Sequence, residues 1–322
     1  MKFLKGDDGT VKKIGLVVGA MLLLVLAACG SDIEDVTIMT GGEQGTYFPL
    51  GAALANNIIN EHVDGVNAES VTSGASVVNI NGLVDGDAQM ALVQNDIAYY
   101  ASEGINMFEE EGPLSGFHGI ATLYPEVIQI ITSADSGIET VEDLAGKRVA
   151  VGDLGSGAEA NAKQILEIHG ITYEDISEEY MDFGTAAGNI QDGNVDAAFI
   201  TAGLPTGAVE ALRATKELRL VEISSDKLGE LAAAYPYYTE FVVESSVYGT
   251  DGDVTTAAVL AMLVVDEDLE EDLVYDITKA MFEHVDQFSN AHQQGTNITL
   301  DSALDGMPIT IHPGAQRYFD EQ

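Results

Sequence analysis

From Val36 to Asn60 the chain reads VTIMTGGEQGTYFPLGAALANNIIN, an apolar strand-like run that ends in a Gly-rich turn and resumes as a helix. Gly41, Gly42 and Gly45 permit positive φ, and Leu50, Leu54 and Ile58 recur at helical spacing. The design returns at Lys147–Gly170, KRVAVGDLGSGAEANAKQILEIHG, where an apolar strand meets Gly152, Gly155, Ser156 and Gly157 before a helix. Shorter versions open helices at Ser73-Gly74-Ala75-Ser76 and after Gln94. A chain punctuated in this way is confined to an α/β architecture with doubly wound, mostly parallel sheets. Ligands of such sheets sit beyond the carboxyl ends of the strands, where all these turns lie. Free amides at a helix start hold an anion there. The same turns also close ordinary α/β units without any ligand. Neither is a nucleotide fingerprint: GGEQGTY and GDLGSGA lack G-x-G-x-x-G, and no G-x-x-x-x-G-K-[ST] loop is present.

The N-terminus sets the compartment. Lys12 and Lys13 precede the apolar run Ile14–Ala28, which meets Leu26-Ala27-Ala28-Cys29. A basic flank, a short apolar segment and small residues before a cleavage point describe an export signal over residues 1–28. Cys29 is the one cysteine among 322 residues, so disulfides are excluded within the chain. The formal charge is −40, and removing the four lysines and two aspartates of residues 1–28 leaves 9 basic against 51 acidic residues. Nucleic acid is thereby excluded as a partner. The acidic residues are spread along the chain rather than gathered in a tail, as on a halophile's solvated surface. At low salt such charges repel one another, whereas near 1 M salt a Debye length of roughly 3 Å screens them. A melting temperature that rises from dilute buffer to molar NaCl is expected.

Along the chain, strands are expected at 67–72, 88–94, 117–123, 127–132, 195–200, 219–223 and 260–265, with Tyr124-Pro125-Glu126 read as a break between two of them. The segment 237–243 is read as returning to the first domain, and 269–288 as the longest helix. The six histidines show no metal-ligand spacing, so no metal and no cofactor are expected. A nucleophile elbow G-x-S-x-G is missing, which argues against a hydrolase.

Taken together, GGEQGTYFPLG, SGAS, VQND, LYPEV, DLAGKRVAVG, GSGAEANAKQIL, VDAAFITAGLPT, LVYDITKAMFEH and HPGAQRYF resemble, in order and over nearly the whole mature chain, the TAXI family of solute receptors from TRAP transporters. The resemblance implies a two-lobed, periplasmic-binding-protein-like fold of type II, with a ligand cleft between lobes. Residues 36–124 with 242–322 would form lobe 1, and 125–241 lobe 2. It implies a monomeric receptor that captures a small carboxylate such as glutamate, glutamine or a related organic acid and hands it to TRAP permease subunits driven by an ion gradient. A lipoprotein receptor of an ABC importer shares the architecture and is the alternative. L-A-A-C resembles a bacterial lipobox, which implies a lipid on Cys29, a tether over 29–35 and a location on the outer face of the cytoplasmic membrane.

Carried over residue by residue, the resemblance places Gly42, Thr46 and Tyr47, then Ser73, Gly74, Ala75, Ser76 and Gln94, against ligand in lobe 1. Ser156, Gly157 and Ala158 match the carboxylate cradle of lobe 2, with Ala158 replacing the usual hydroxyl residue, and Tyr124 supplies a further wall. Glu159 and Asp182 are the candidates for a ligand ammonium group.

Overall fold

The computed structural model describes residues 33–322. The export signal and Cys29 lie outside the described residues. In chain order the elements that position the site are β1 (Glu34–Met39), α1 (Tyr47–Ala53), β2 (Val66–Val71), α2 (Ser76–Val84), β3 (Met90–Gln94), α3 (Asn95–Glu103) and β4 (Phe117–Ser133). They continue as β5 (Arg148–Gly152), α4 (Gly157–Ile168), β6 (Ser177–Tyr180), α5 (Phe183–Asp192), β7 (Ala197–Ala202), α6 (Gly207–Arg213), β8 (Leu218–Val221), α7 (Ser225–Ala234) and β9 (Thr239–Val243). The chain closes with β10 (Val254–Asp266), α8 (Glu271–Glu283), α9 (Asp286–Ala291) and α10 (Pro313–Asp320).

Among the described residues the strands form one ten-stranded mixed sheet, in the order β2-β1-β3-β10-β4-β7-β5-β6, with β8 added to β4 and β9 to β10. Two long strands join its lobes. The C-terminal part of β10 pairs with β3 from Ala261 to Val265, while its N-terminal part pairs with β9 from Val254 to Ala258. Likewise β4 pairs with β10 over Phe117–Val127 and with β7 over Val127–Thr132. Each lobe is packed on both faces. In β3, Met90 and Leu92 enter one first-lobe core and Ala91 and Val93 the other, so the strand reads as an unbroken apolar run instead of alternating with polar residues. Second-lobe strands do the same, with Val149 and Val151 facing one core and Ala150 the other.

Several expectations change. The sheet is less parallel than the turn pattern suggests: β1–β3, β5–β6 and β5–β7 are parallel, but every pairing of β4 and β10 with a neighbour is antiparallel. The break expected at Tyr124–Glu126 does not occur. Pro125 sits opposite Leu260 beside a register shift, where its missing N–H costs the ladder little, and 17 residues continue as one strand. β9 (Thr239–Val243) pairs with the N-terminal part of β10, Val243 and Ala258 share a core, and β10 changes partner near 258–261. The expected long helix stops at Glu283 and restarts at Asp286.

Candidate functional site

The turns that follow β1, β2, β3, β5, β6 and β7 meet the middle of β4 around one cavity of about 40 Å³. Since one water needs about 10–15 Å³ of such volume, three or four waters would fill it. From the first lobe it is lined by Gly41, Gly42, Gln44, Gly45, Thr46, Tyr47, Ala75, Ser76 and Gln94. The second lobe adds Asp153, Ser156, Gly157, Ala158, Asp182, Phe183, Thr201 and Ala202, and β4 adds Glu126.

The lobes are closed on one another. Thr46 Oγ1 donates to the Gly203 carbonyl at 3.2 Å, the N–H groups of Val77 and Val78 both donate to the Gly155 carbonyl at 3.2 Å, and Ala208 N–H donates to the Gln44 carbonyl at 3.2 Å. Gly157 is where the fit is tightest, because a Cβ there would fall 2.4 Å from the Gln94 side chain. Opposite it, Ala75 caps α2 with φ 66° and ψ −150°, a conformation that costs a residue with a Cβ on the order of 1–3 kcal/mol.

At the start of α4, Ser156 Oγ accepts from Glu159 N–H at 3.0 Å. That satisfies one of the amides a helix leaves unpaired at its first turn. Those of Gly157 and Ala158 find no acceptor among the described residues. They sit at the positive end of a 12-residue helix, on the cavity wall.

The opposite polarity comes from β4. Glu126 is 2% exposed; Oε2 accepts from the Tyr47 phenol at 2.7 Å and Oε1 from the Tyr124 phenol at 3.5 Å. Burial pushes its carboxyl up to about 8, with the nearby Asp96 adding to the rise and the Tyr47 and Tyr124 bonds opposing it. Burial and then the Glu126 charge hold both phenols well above their ordinary range. Asp153 is raised by burial and by Asp182. Two buried acceptors on the wall, Gln94 Oε1 and Thr201 Oγ1, have no hydrogen-bond partner. No lysine, arginine or histidine is among the lining residues.

Of the residues expected at the site, Gly42, Thr46, Tyr47, Ala75, Ser76, Gln94, Ser156, Gly157, Ala158 and Asp182 are brought together. Four are not. The Ser73 hydroxyl is engaged by the Thr40 carbonyl and Asn79 Oδ1, and Gly74 packs on Val78. Tyr124 stands behind Glu126 as its support. Glu159 turns away to accept from the Tyr173 phenol at 2.8 Å. Asp182 lines the cavity with its oxygens committed to capping α5: Oδ1 accepts from Gly184 and Thr185 N–H, Oδ2 from the Thr185 hydroxyl. Although burial acts to raise it, these bonds together leave its carboxyl below the ordinary value. The sequence reading missed Gln44, Asp153, Phe183, Thr201 and above all Glu126, which stands in LYPEV next to the proline that disguised the strand.

A second buried polar cluster joins the lobes between α3 and α4. Asn161 Nδ2 donates to Asp96 Oδ2 at 3.2 Å and to the Tyr238 phenol at 2.7 Å, and that phenol donates to Gln164 Oε1. Asp96 Oδ1 and Asn161 Oδ1 lack partners. Burial lifts the Asp96 carboxyl to about 7.

Residues 38–322 match the NMT1-like family. The chain belongs to the NMT1-like family. Solved structures resemble this NMT1-like protein in fold. A putative L-cystine ABC transporter protein from Listeria monocytogenes is 16% identical, with a TM-score of 0.52, over 84% of this chain and 98% of its own. A Xanthomonas citri protein solved with a bound chloride ion is 11% identical, with a TM-score of 0.51, over 91% and 96%. The periplasmic aliphatic sulphonate-binding protein SsuA of Escherichia coli is 16% identical, with a TM-score of 0.46, over 90% and 84%. The NMT1-like chain thus has an α/β fold of the type II periplasmic-binding-protein kind, with a curled mixed sheet and flanking helices.

Proposed function

We propose that the protein is an extracytoplasmic solute-binding receptor that closes its lobes on a small carboxylate-bearing solute and delivers it to a membrane transporter. The observation that carries the reading is the cavity whose wall includes the unpaired Gly157 and Ala158 amides at the start of α4. Such amides hold a carboxylate without any basic side chain, which matters on a chain with formal charge −40. Glutamate or glutamine is larger than the three or four waters the cavity accommodates, so either would have to be met by lobes slightly further apart.

For the transporter, an ABC importer has the support of the structural neighbours' names, among them the putative cystine and sulphonate systems. The ordered motif string from GGEQGTYFPLG to HPGAQRYF favours a TRAP permease of the TAXI type. A neighbouring gene for an ATPase decides for the first, and one for a fused multi-span permease for the second. We further propose lipid attachment at Cys29. The lobe boundaries we propose are the crossings of β4 near 124–127 and of β10 near 258–261.

A thermal-shift screen of amino acids and organic acids in molar salt tests the receptor reading. A ligand present at 100 times its Kd adds about 2.7 kcal/mol of stability. No shift with any of them at millimolar concentration would overturn it.

A further inference from the structure

The cavity wall is rich in acceptors. Glu126 lies on it, buried at 2% exposure and with one short bond, from Tyr47. The Gln94 amide oxygen and the Thr201 hydroxyl, at 2% and 4% exposure, have no hydrogen-bond partner. An unpaired buried acceptor is costly, and a buried carboxylate more so, unless something brings hydrogen-bond donors and positive charge to it. The donors that the chain brings to Glu126 are neutral, the Tyr47 and Tyr124 phenols and the Gln94 side chain, and it brings no positive charge: the ionisable groups around Glu126 are Tyr47 and Tyr124 beside it, Asp96 on α3, and Asp153 and Asp182 across the cavity. All five are neutral or acidic.

We propose that Glu126 is the specificity-determining residue of this cavity, taking the ammonium group of the ligand so that α-amino acids are selected over carboxylates that lack one. The inference rests on the receptor reading above and narrows its ligand class. The two ends of the cavity then have matched roles. The carboxylate lies on the Gly157 and Ala158 amides, and the ammonium N–H groups reach Glu126, Gln94 Oε1 and Thr201 Oγ1. A dicarboxylate or a 2-oxo acid satisfies the first end but brings no donor to the second: it can accept only from protonated Glu126 and the Thr201 hydroxyl, and it leaves Gln94 Oε1 unpaired. The hydrogen bonds between an ammonium group and ionised Glu126, which an oxo acid cannot make, set the discrimination.

A proton accompanies the exchange. Alone and buried, Glu126 keeps its proton at neutral pH; beside an ammonium group the charged form is favoured. The proton leaves Glu126 for solvent as the ligand enters, and the N–H groups of the ammonium replace it as donors. Affinity for an amino acid therefore rises with pH up to about 8.

Titration calorimetry on the mature protein in molar salt tests this with matched pairs: L-alanine against pyruvate, and L-glutamate against 2-oxoglutarate. At least one amino acid is expected to bind about tenfold or more tightly than its oxo acid, roughly the worth of one hydrogen bond to a charged group. Repeating the titration at pH 7 in buffers of different ionisation enthalpy is expected to show proton release. Glu126→Gln should weaken the amino acid by about tenfold or more, bring the pair together and abolish the release. An oxo acid that binds as tightly as its amino acid, or binding without proton release, overturns the role of Glu126 while leaving the receptor intact. Both readouts exist in the unaltered protein, so a variant that fails to fold does not remove the test. If neither pair nor any other amino or organic acid binds, the receptor reading falls and this inference with it.

Discussion

Glu126 and Asp96 are both carboxylates buried where the lobes meet, but Glu126 faces a cavity and Asp96 faces packed side chains. Around Asp96 the surplus oxygens, its own Oδ1 and Asn161 Oδ1, are sealed among Tyr100, Tyr238 and Gln164. A proton held by Asp96 would turn one of its own oxygens into a donor, a resolution that needs no ligand. Around Glu126 the surplus oxygens line a space that another molecule can enter. The difference teaches that a buried acid between two lobes has two resolutions, an internal proton or an external cation, and that the presence of a cavity decides which one operates.

The comparison breaks most visibly at Gly157. Replacing it with valine puts a side chain where Gln94 lies 2.4 Å from a bare Cβ, so the cavity side cannot close while the α3–α4 cluster keeps its residues. A loss of affinity of about 100-fold or more is expected by calorimetry, the equivalent of about 2.7 kcal/mol. An affinity within threefold of the unaltered protein would show that closure does not depend on this approach.

The next effect is in the pH dependence of the ligand-free protein. Glu126 has a folded value of about 8 against an ordinary 4.5, so the folded state holds the extra proton between those limits and stability falls as pH rises through that window. In Glu126→Gln that fall should shrink, leaving the variant more stable at pH 8 by on the order of a few kcal/mol in chemical denaturation. Asp96, at about 7 against 3.8, acts with the same sign over a lower and narrower window. Asp96→Asn should flatten the curve between about pH 4 and 7 by a somewhat smaller amount, while leaving ligand proton release in place. If Asp96→Asn abolished the release instead, the roles assigned to the two carboxylates would have to be exchanged.

The smallest effect concerns the strained backbone on the cavity wall. Ala75→Gly relieves a conformation with φ 66° and ψ −150° and should raise stability by about 1 kcal/mol. A destabilised variant would mean that the Ala75 methyl packs more usefully than its backbone is strained.

Much of the cavity could be read from the chain because its turns are local. Gly41–Tyr47, Ala75-Ser76, Gln94 and Ser156–Ala158 each announce a strand end followed by a helix, and such ends gather on one edge of an α/β sheet. What escaped was long-range. Pro125 carries the local signature of a break, and only the register of β4 with β10 shows that the strand runs through it. With the strand hidden, a glutamate beside a proline had the look of a solvent loop, so Glu126 went unnoticed while Glu159 and Asp182 were preferred. The oxygens of those two are already engaged, Glu159 by Tyr173 and Asp182, which does line the cavity, by the start of α5, and pattern alone does not reveal which oxygens are taken.

Glu126 belongs to one of the two ribbons of backbone that run from lobe to lobe. If the lobes open and close as proposed, whatever grips its carboxylate also bears on a strand that both halves share, so recognition and posture are linked. Substitutions that tune how tightly a solute is held will, for the same reason, shift how long the jaws stay shut when it is gone.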